Sequence, residues 1–130
     1  MKNELKNNGS VLLVTIFVIA FLSALVIGML QMNTEEIQLV QNQIYAAQAL
    51  STAEAGLNGA FSEIRTDPNW TAGFSNKVFE GGSYTVDVNS NTITSTGTSS
   101  QGFVARVEAD ITIGSTSPYV IRIDHLRINE

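Results

Sequence analysis

Between Lys6 and Glu35 the chain carries no charged residue, and Val11–Leu30 is a run of twenty almost wholly apolar residues. No other feature limits the fold as sharply. Twenty helical residues at about 1.5 Å each span roughly 30 Å, the hydrocarbon thickness of a bilayer. Inside lipid a single segment satisfies its backbone groups only as a helix. A cleaved secretory signal has an apolar core of about 7–15 residues followed by small residues at the cut. Here the core is longer, and Met29-Leu30-Gln31-Met32-Asn33 puts bulky side chains where small ones belong. The small pair, Gly9-Ser10, precedes the run instead. A retained membrane helix is expected. Lys2, Lys6 and the amino terminus outweigh Glu4, which keeps the tip cytoplasmic and exports the remainder.

The helix is expected to continue beyond the membrane face. No proline interrupts Glu35–Arg65, and Ile37, Val40, Ile44, Ala47, Leu50, Ala53, Leu57, Ala60/Phe61 and Ile64 recur at steps of three and four. Such a stripe marks one face of an amphipathic helix. Gln38, Gln41, Gln43, Gln48, Glu54, Asn58 and Glu63 fall on the wetter faces, and Asp67-Pro68-Asn69 is a firm stop. Gly56 and Gly59 each weaken the helix by about 1 kcal/mol relative to alanine, while allowing close packing.

After Pro68 the period changes to two. Phe103, Ala105, Val107, Ala109, Ile111 and Ile113 share one face of a strand, with Arg106, Glu108, Asp110 and Thr112 on the other. Further strands are expected at Ser83–Val88, with Tyr84, Val86 and Val88 inward, at Thr92–Thr96 and at Tyr119–Ile128. In the last, Tyr119, Ile121 and Ile123 alternate out of phase with Leu126 and Ile128, which calls for a bulge near Asp124-His125. Short connections at Glu80-Gly81-Gly82 and Asn89-Ser90-Asn91, and polar ones at Gly97–Gly102 and Gly114–Pro118, favour an antiparallel meander. Its apolar face needs cover, and Leu50–Ile64 is the suitable stripe. The expected fold is therefore α+β: a long N-terminal helix, membrane-spanning in its first half and amphipathic in its second, packed on a small antiparallel sheet. The segments are 1–9 before the apolar run, 10–30 in the membrane, 31–66 as the amphipathic half and 67–130 as the sheet region.

Chemistry is sparse. The seven Lys and Arg residues are scattered in a chain of net charge −5, which argues against nucleic-acid binding. Absent cysteines exclude disulfides and thiol zinc sites. The single histidine, His125, sits beside Asp124 with no second His, a poor start for a metal set or triad, and is expected to be structural or solvent-facing. Asp87-Val88-Asn89-Ser90-Asn91 copies half of a calcium loop but has Thr92 and Thr98 where Gly and Glu are required, so a hairpin turn using asparagine at positive φ is expected. Asn69-Trp70-Thr71 is a glycosylation triplet of low specificity, and Trp70 is expected to plug the helix–sheet seam. No catalytic, metal or cofactor residue is assigned.

A short basic tip ending in Gly9, an uncharged apolar run directly after it, one long helix and a small antiparallel sheet together resemble a type IV pilin-like protein. That family includes the pilins and the pseudopilins of type II secretion. The stretches QALSTAEAGLNGAF (Gln48–Phe61), GGSYTVDV and TITSTGT resemble the PilX-type minor pilins. The resemblance implies that residues 1–9 are a leader, cut by a prepilin peptidase between Gly9 and Ser10, and that the new amine is methylated. It implies that the apolar helix, including Val11, Leu12, Leu13, Phe17 and Phe21, then bundles with other subunits in a filament core. Most members carry Glu five residues into the mature chain, where this chain has Val14. A carboxylate at membrane depth costs about 2.5–3.5 kcal/mol, offset in the family by pairing with a neighbouring subunit's terminal amine. Val14 cannot make that pair. K-type pseudopilins at the filament tip lack the acid as well, so the resemblance implies a minor subunit that initiates, primes or caps a pilus or pseudopilus.

The implied partners are other pilin or pseudopilin subunits, the prepilin peptidase, the inner-membrane assembly platform and membrane lipid, with no nucleic acid bound directly. The implied location is the cytoplasmic (inner) membrane as a single-pass protein with its C-terminal domain exported, then the filament. Two other expectations compete. A signal-anchored single-pass protein with an exported ligand-binding domain would keep Met1. A tethered enzyme would gather His125 and at least two carboxylates in one pocket.

Overall fold

The computed structural model describes the backbone of residues 4–129 and the side chains of residues 9–129. Lys2 and the side chains of Glu4 and Lys6, on which the expected membrane orientation rests, lie outside the described residues. One helix, α1 (Glu4–Thr66), is followed by β1 (Phe74–Phe79), β2 (Gly82–Asn89), β3 (Thr92–Thr98), β4 (Val104–Ile113) and β5 (Ile121–Asn129). The strands lie in chain order β1-β2-β3-β4-β5, every neighbouring pair antiparallel. This is the α+β architecture expected, with a meander as its sheet. The chain forms two units, Met1–Val40 and Gln41–Glu130.

In the second unit α1 seats on the sheet through Ala49, Thr52, Ala53, Gly56, Leu57, Ala60 and Ile64, all buried. Ala53, Leu57, Ala60 and Ile64 of the stripe expected from sequence are buried as expected, while its N-terminal part and its bulkiest flank residues are not. Ile44 and Ala47 are exposed, and Leu50 and Phe61 lie half-buried on the flanks. An apolar count favours large side chains, whereas here the seat is set by how near two backbones come. A Cβ on Gly97 of β3 would lie 2.9 Å from the Ala53 Cα, in overlap also with the Ala49 carbonyl oxygen. A Cβ on Gly56 would lie 2.8 Å from Cδ2 of Tyr84 and overlap the Ser95 hydroxyl. Small residues therefore occupy both sides of the seam, and the bulk of the core comes from Ile64, Ile93, Val86, Val107 and Ile111.

The helix ends where Pro68 requires. The Asp67 amide donates to the Glu63 carbonyl (2.8 Å) and the Asp67 carboxylate accepts from the Asn69 amide (2.9 Å). Trp70 packs on the core edge and tilts over Phe74 (5.2 Å), which meets Tyr84 edge-on (5.8 Å), closing the seam at this end as expected.

The inward faces of β2, β3 and β4 agree with the expected alternation, with Tyr84, Val86, Ile93, Ala105, Val107, Ala109 and Ile111 buried. β1 was not expected. Its pairing shifts between Phe74 and Lys77, and Asn76 takes φ 46°, so a bulge destroys the period by which a strand is recognised. In the β2–β3 turn the positive φ falls on Ser90 (53°) rather than on an asparagine. On β5 the expected bulge is present. Asp110 pairs with His125 and Ile111 with Ile123, leaving Asp124 as the extra residue. Ile123, Leu126 and Ile128 consequently stand opposite Ile111, Ala109 and Val107, on the helix-covered face.

The seam yields two opposite outcomes. Gly97→Ala should lower stability by about 1–3 kcal/mol, because the atoms in the way are helix backbone. Ser95 Oγ is buried without a hydrogen-bond partner, so Ser95→Ala should be neutral or stabilising by about 1 kcal/mol. Thermal unfolding of the full chain in detergent measures both, and a stabilised Gly97→Ala variant contradicts the close-approach account.

Candidate functional site

The residues singled out from sequence lie on the first unit's part of α1. Gly9 and Ser10 are helical and exposed, and a Cβ at Gly9 would meet nothing within 4 Å. Val11, Leu12, Leu13, Val14, Phe17 and Phe21 are all exposed, Val14 at 60% and Phe17 at 71%. Leu13, Val14, Phe17 and Phe21 follow steps of three and four and share a side with Val11 at its edge, whereas Leu12 lies opposite, beside the exposed Ile16 and Ile19. The segment is thus apolar on every side, as befits a helix surrounded by lipid or by other apolar helices. Among the described residues one helix is long and apolar enough to cross a membrane.

Three hydroxyls along α1 are satisfied within the helix. Thr15 donates to the Val11 carbonyl (2.8 Å), Ser23 to Ile19 (2.8 Å) and Thr34 to Leu30 (2.9 Å). Such i−4 bonds let a hydroxyl leave water without an unpaired donor, so Thr15 and Ser23 do not oppose burial in hydrocarbon.

The outer face of the sheet carries the charged groups. Thr92 Oγ1 donates to Asp110 (2.7 Å), and Arg127 bridges Glu108 and Asp110, the latter at 3.0 Å. Beside the bulge, Thr112 Oγ1 donates to Asp124 (2.6 Å) and Arg122 Nε donates to the same carboxylate (2.7 Å). The Thr92 hydroxyl holds the Asp110 carboxyl below the usual range, and Arg127 adds to this. Thr112, then Arg122, do the same for Asp124. The Glu108 hydrogen bond and the two carboxylate charges push the Arg127 guanidinium up. His125 stands on this exposed face opposite Asp110. Among the described residues no three His, Asp or Glu side chains gather as a metal set. The arrangement is a solvated ion-pair lattice that pins β5 to β4.

Sequence reasoning missed two things in this region. One is that Ala49 and Thr52 join Gly56 in a small-residue seat, whose signal was the spacing of small rather than large residues. The other is that Ile123 (47%), Leu126 (52%) and Ile128 (48%) remain half-exposed although they sit on the inner face. The bulge predicted their side, but not that α1 stops short of them.

No family model, curated protein or solved structure matches this chain.

The lattice gives an acid-side signature. Both carboxyls titrate lower in the folded protein than their ordinary value near 4, so the unfolded chain takes up these protons first as pH falls. Their contribution is complete above about pH 5 and erodes through pH 4. It is lost once pH drops below the folded-state values. Unfolding midpoints recorded from pH 6 to 2 should fall less steeply in Asp110→Asn and Asp124→Asn than in the unaltered chain. Parallel curves would remove the lattice from the stability account.

Proposed function

We propose that this chain is a minor subunit of a type IV pilin-like filament, cut between Gly9 and Ser10 and placed early, as an initiating, priming or capping subunit. The observation that carries the proposal is that a single helix, α1, supplies both parts such a subunit needs. Directly after Gly9 it is apolar on all sides, and from Ala49 it presents a small-residue face seated on an antiparallel meander. The chain inserts through the apolar segment into the cytoplasmic membrane and exports the sheet. Val11, Leu12, Leu13, Phe17 and Phe21 then exchange lipid for the helices of other subunits.

Gly9 suits a processing point physically. Glycine costs a helix about 1 kcal/mol relative to alanine, so the backbone opens more readily there than at its neighbours. With no Cβ, it also lets a peptidase approach the scissile bond closely. Val14 restricts the role. Without a carboxylate the subunit inserts without the penalty of a charge in lipid, but has nothing to offer a predecessor's amine.

The mature amino terminus tests this reading. Mass spectrometry of the membrane-extracted chain should find Ser10 first, methylated, and only in cells with a prepilin peptidase. Since a side chain at position 9 meets no neighbour, Gly9→Leu should leave insertion intact and abolish cutting. Retention of Met1 in the unaltered chain favours the simple anchor instead. Immunolabelled filaments should carry the protein at an end, and equal labelling along their length would contradict the initiating role.

A further inference from the structure

On the second unit a groove of about 210 Å³ runs between α1, with Glu54, Leu57 and Phe61 on its wall, and β5, with Ile123, Leu126 and Ile128. All three aliphatic residues stand on the inner face of the sheet yet stay half-exposed, because the core under α1 takes in Ile121 of β5 but leaves the rest of that strand uncovered. Five strands about 4.8 Å apart make a face about 19 Å wide, whereas a helix with its side chains covers about 10 Å. With α1 over the middle of the sheet a strip at β5 is left uncovered, too narrow to seat a whole helix but enough to take the apolar ridge of one lying along the edge, and among the described residues the chain contains no other helix.

We infer that this groove receives the water-exposed part of a helix from a different membrane-anchored subunit, one presenting an apolar ridge and a basic side chain to Glu54. Charge selects the partner. Glu54 makes no ion pair among the described residues, and the helix between Gln31 and Arg65 carries Glu35, Glu36, Glu54 and Glu63 against Arg65 alone. A second copy offers its exposed stripe Ile37, Val40 and Ile44 flanked by Glu35 and Glu36, which brings like charges towards Glu54. A strand added to β5 is disfavoured, since the Asp124 bulge and the charges of Arg122 and Arg127 blunt that edge. Area selects the tether. The uncovered strip is on the order of a few hundred Å², well short of the ~800 Å² per partner that a stable soluble pair buries. Anchoring both chains in one membrane supplies the missing affinity as effective concentration. The inference rests on the filament-subunit proposal for that shared membrane, and names the chemistry of its neighbour.

The chain contains no cysteine, so a single one reports one place. Leu126→Cys and, separately, Ile128→Cys in the full chain, labelled with a benzophenone maleimide in native membranes, are photo-cross-linked. Val78→Cys, exposed at 79% on the opposite edge strand, is the control. The expected adduct at 126 and 128 joins a helical peptide of another membrane-anchored chain, close to a Lys or Arg. Glu54→Lys should cut its yield about tenfold, and exchanging the partner's basic residue for Glu should restore it. Self-adducts, adducts to a soluble chain or to a strand, yields no higher than at 78, or indifference to Glu54→Lys each overturn the assignment. The amino terminus is read in the same samples. A chain cut at Ser10 without the adduct fails the groove alone, and an uncut chain with it fails the filament proposal alone.

Discussion

The close approach of the α1 backbone to β3 decides what the rest of the second unit can be. Where Gly97 lies under Ala49 and Ala53, and Gly56 over Ser95 and Tyr84, there is no space for a Cβ on either glycine. Two consequences follow. The helix is fixed over the middle of the sheet, since only β2 to β4 present the small and inward-facing residues that accept it. Little apolar volume is available in the seam itself, so the core depends on the residues flanking it, Ile64 and Ile111 among them. Ser95, buried with an unpaired hydroxyl, shows the same constraint from the other side: the position demands a small side chain, and polarity is tolerated at a cost.

Fixing the helix centrally leaves the two sheet edges to be managed differently. β1 is short, bulged at Asn76 and covered by the Trp70, Phe74, Phe79 and Tyr84 rings, with Lys77 Nζ 4.5 Å above Phe74. β5 is longer and is held by charge on its outer face, through Arg127 to Glu108 and Asp110 and through Asp124 to Thr112. Those contacts fix register without supplying cover. The bulge at Asp124 turns Leu126 and Ile128 inward, towards a groove that α1 borders but does not fill. On the inner face one edge carries an aromatic cluster from within the chain, and the other is left without cover.

How much of this was legible in the sequence depends on which physical signal carried it. The membrane-length run and the proline stop were legible because charge and backbone chemistry act locally. The strands with strict alternation, above all Val104–Ile113, were legible because burial on one face writes period two directly into the residues. Even the β5 bulge was legible, as a phase slip between Ile123 and Leu126. β1 was not, because a bulge within six residues leaves no period to find. The seat of α1 was legible in part, through Ala53, Leu57, Ala60 and Ile64, but not at Ala49 and Thr52, which carry too little apolar area to register as a stripe. Close packing is a property of two surfaces together, and only one of them is visible along a helix. For Gly9, Ser10 and Val14 the structure adds exposure and open space around Gly9, while their role still rests on pattern.

Under the proposed function, Val14 makes the subunit one-sided. A cut after Gly9 gives it a terminal amine on Ser10 like any other filament subunit, so a following subunit's acid has a partner there. It has no acid of its own to pair with a subunit ahead of it. An ordinary subunit both follows and is followed, whereas this one can only be followed. That asymmetry also removes an energetic obstacle. A lone carboxylate in lipid costs about 2.5–3.5 kcal/mol until a neighbour's amine meets it, and the first subunit of a filament has no such neighbour. Valine at that place lets the first subunit wait in the membrane without that cost. On this reading its recognition of neighbours lies elsewhere in the chain, in contacts of the kind proposed for the groove beside β5.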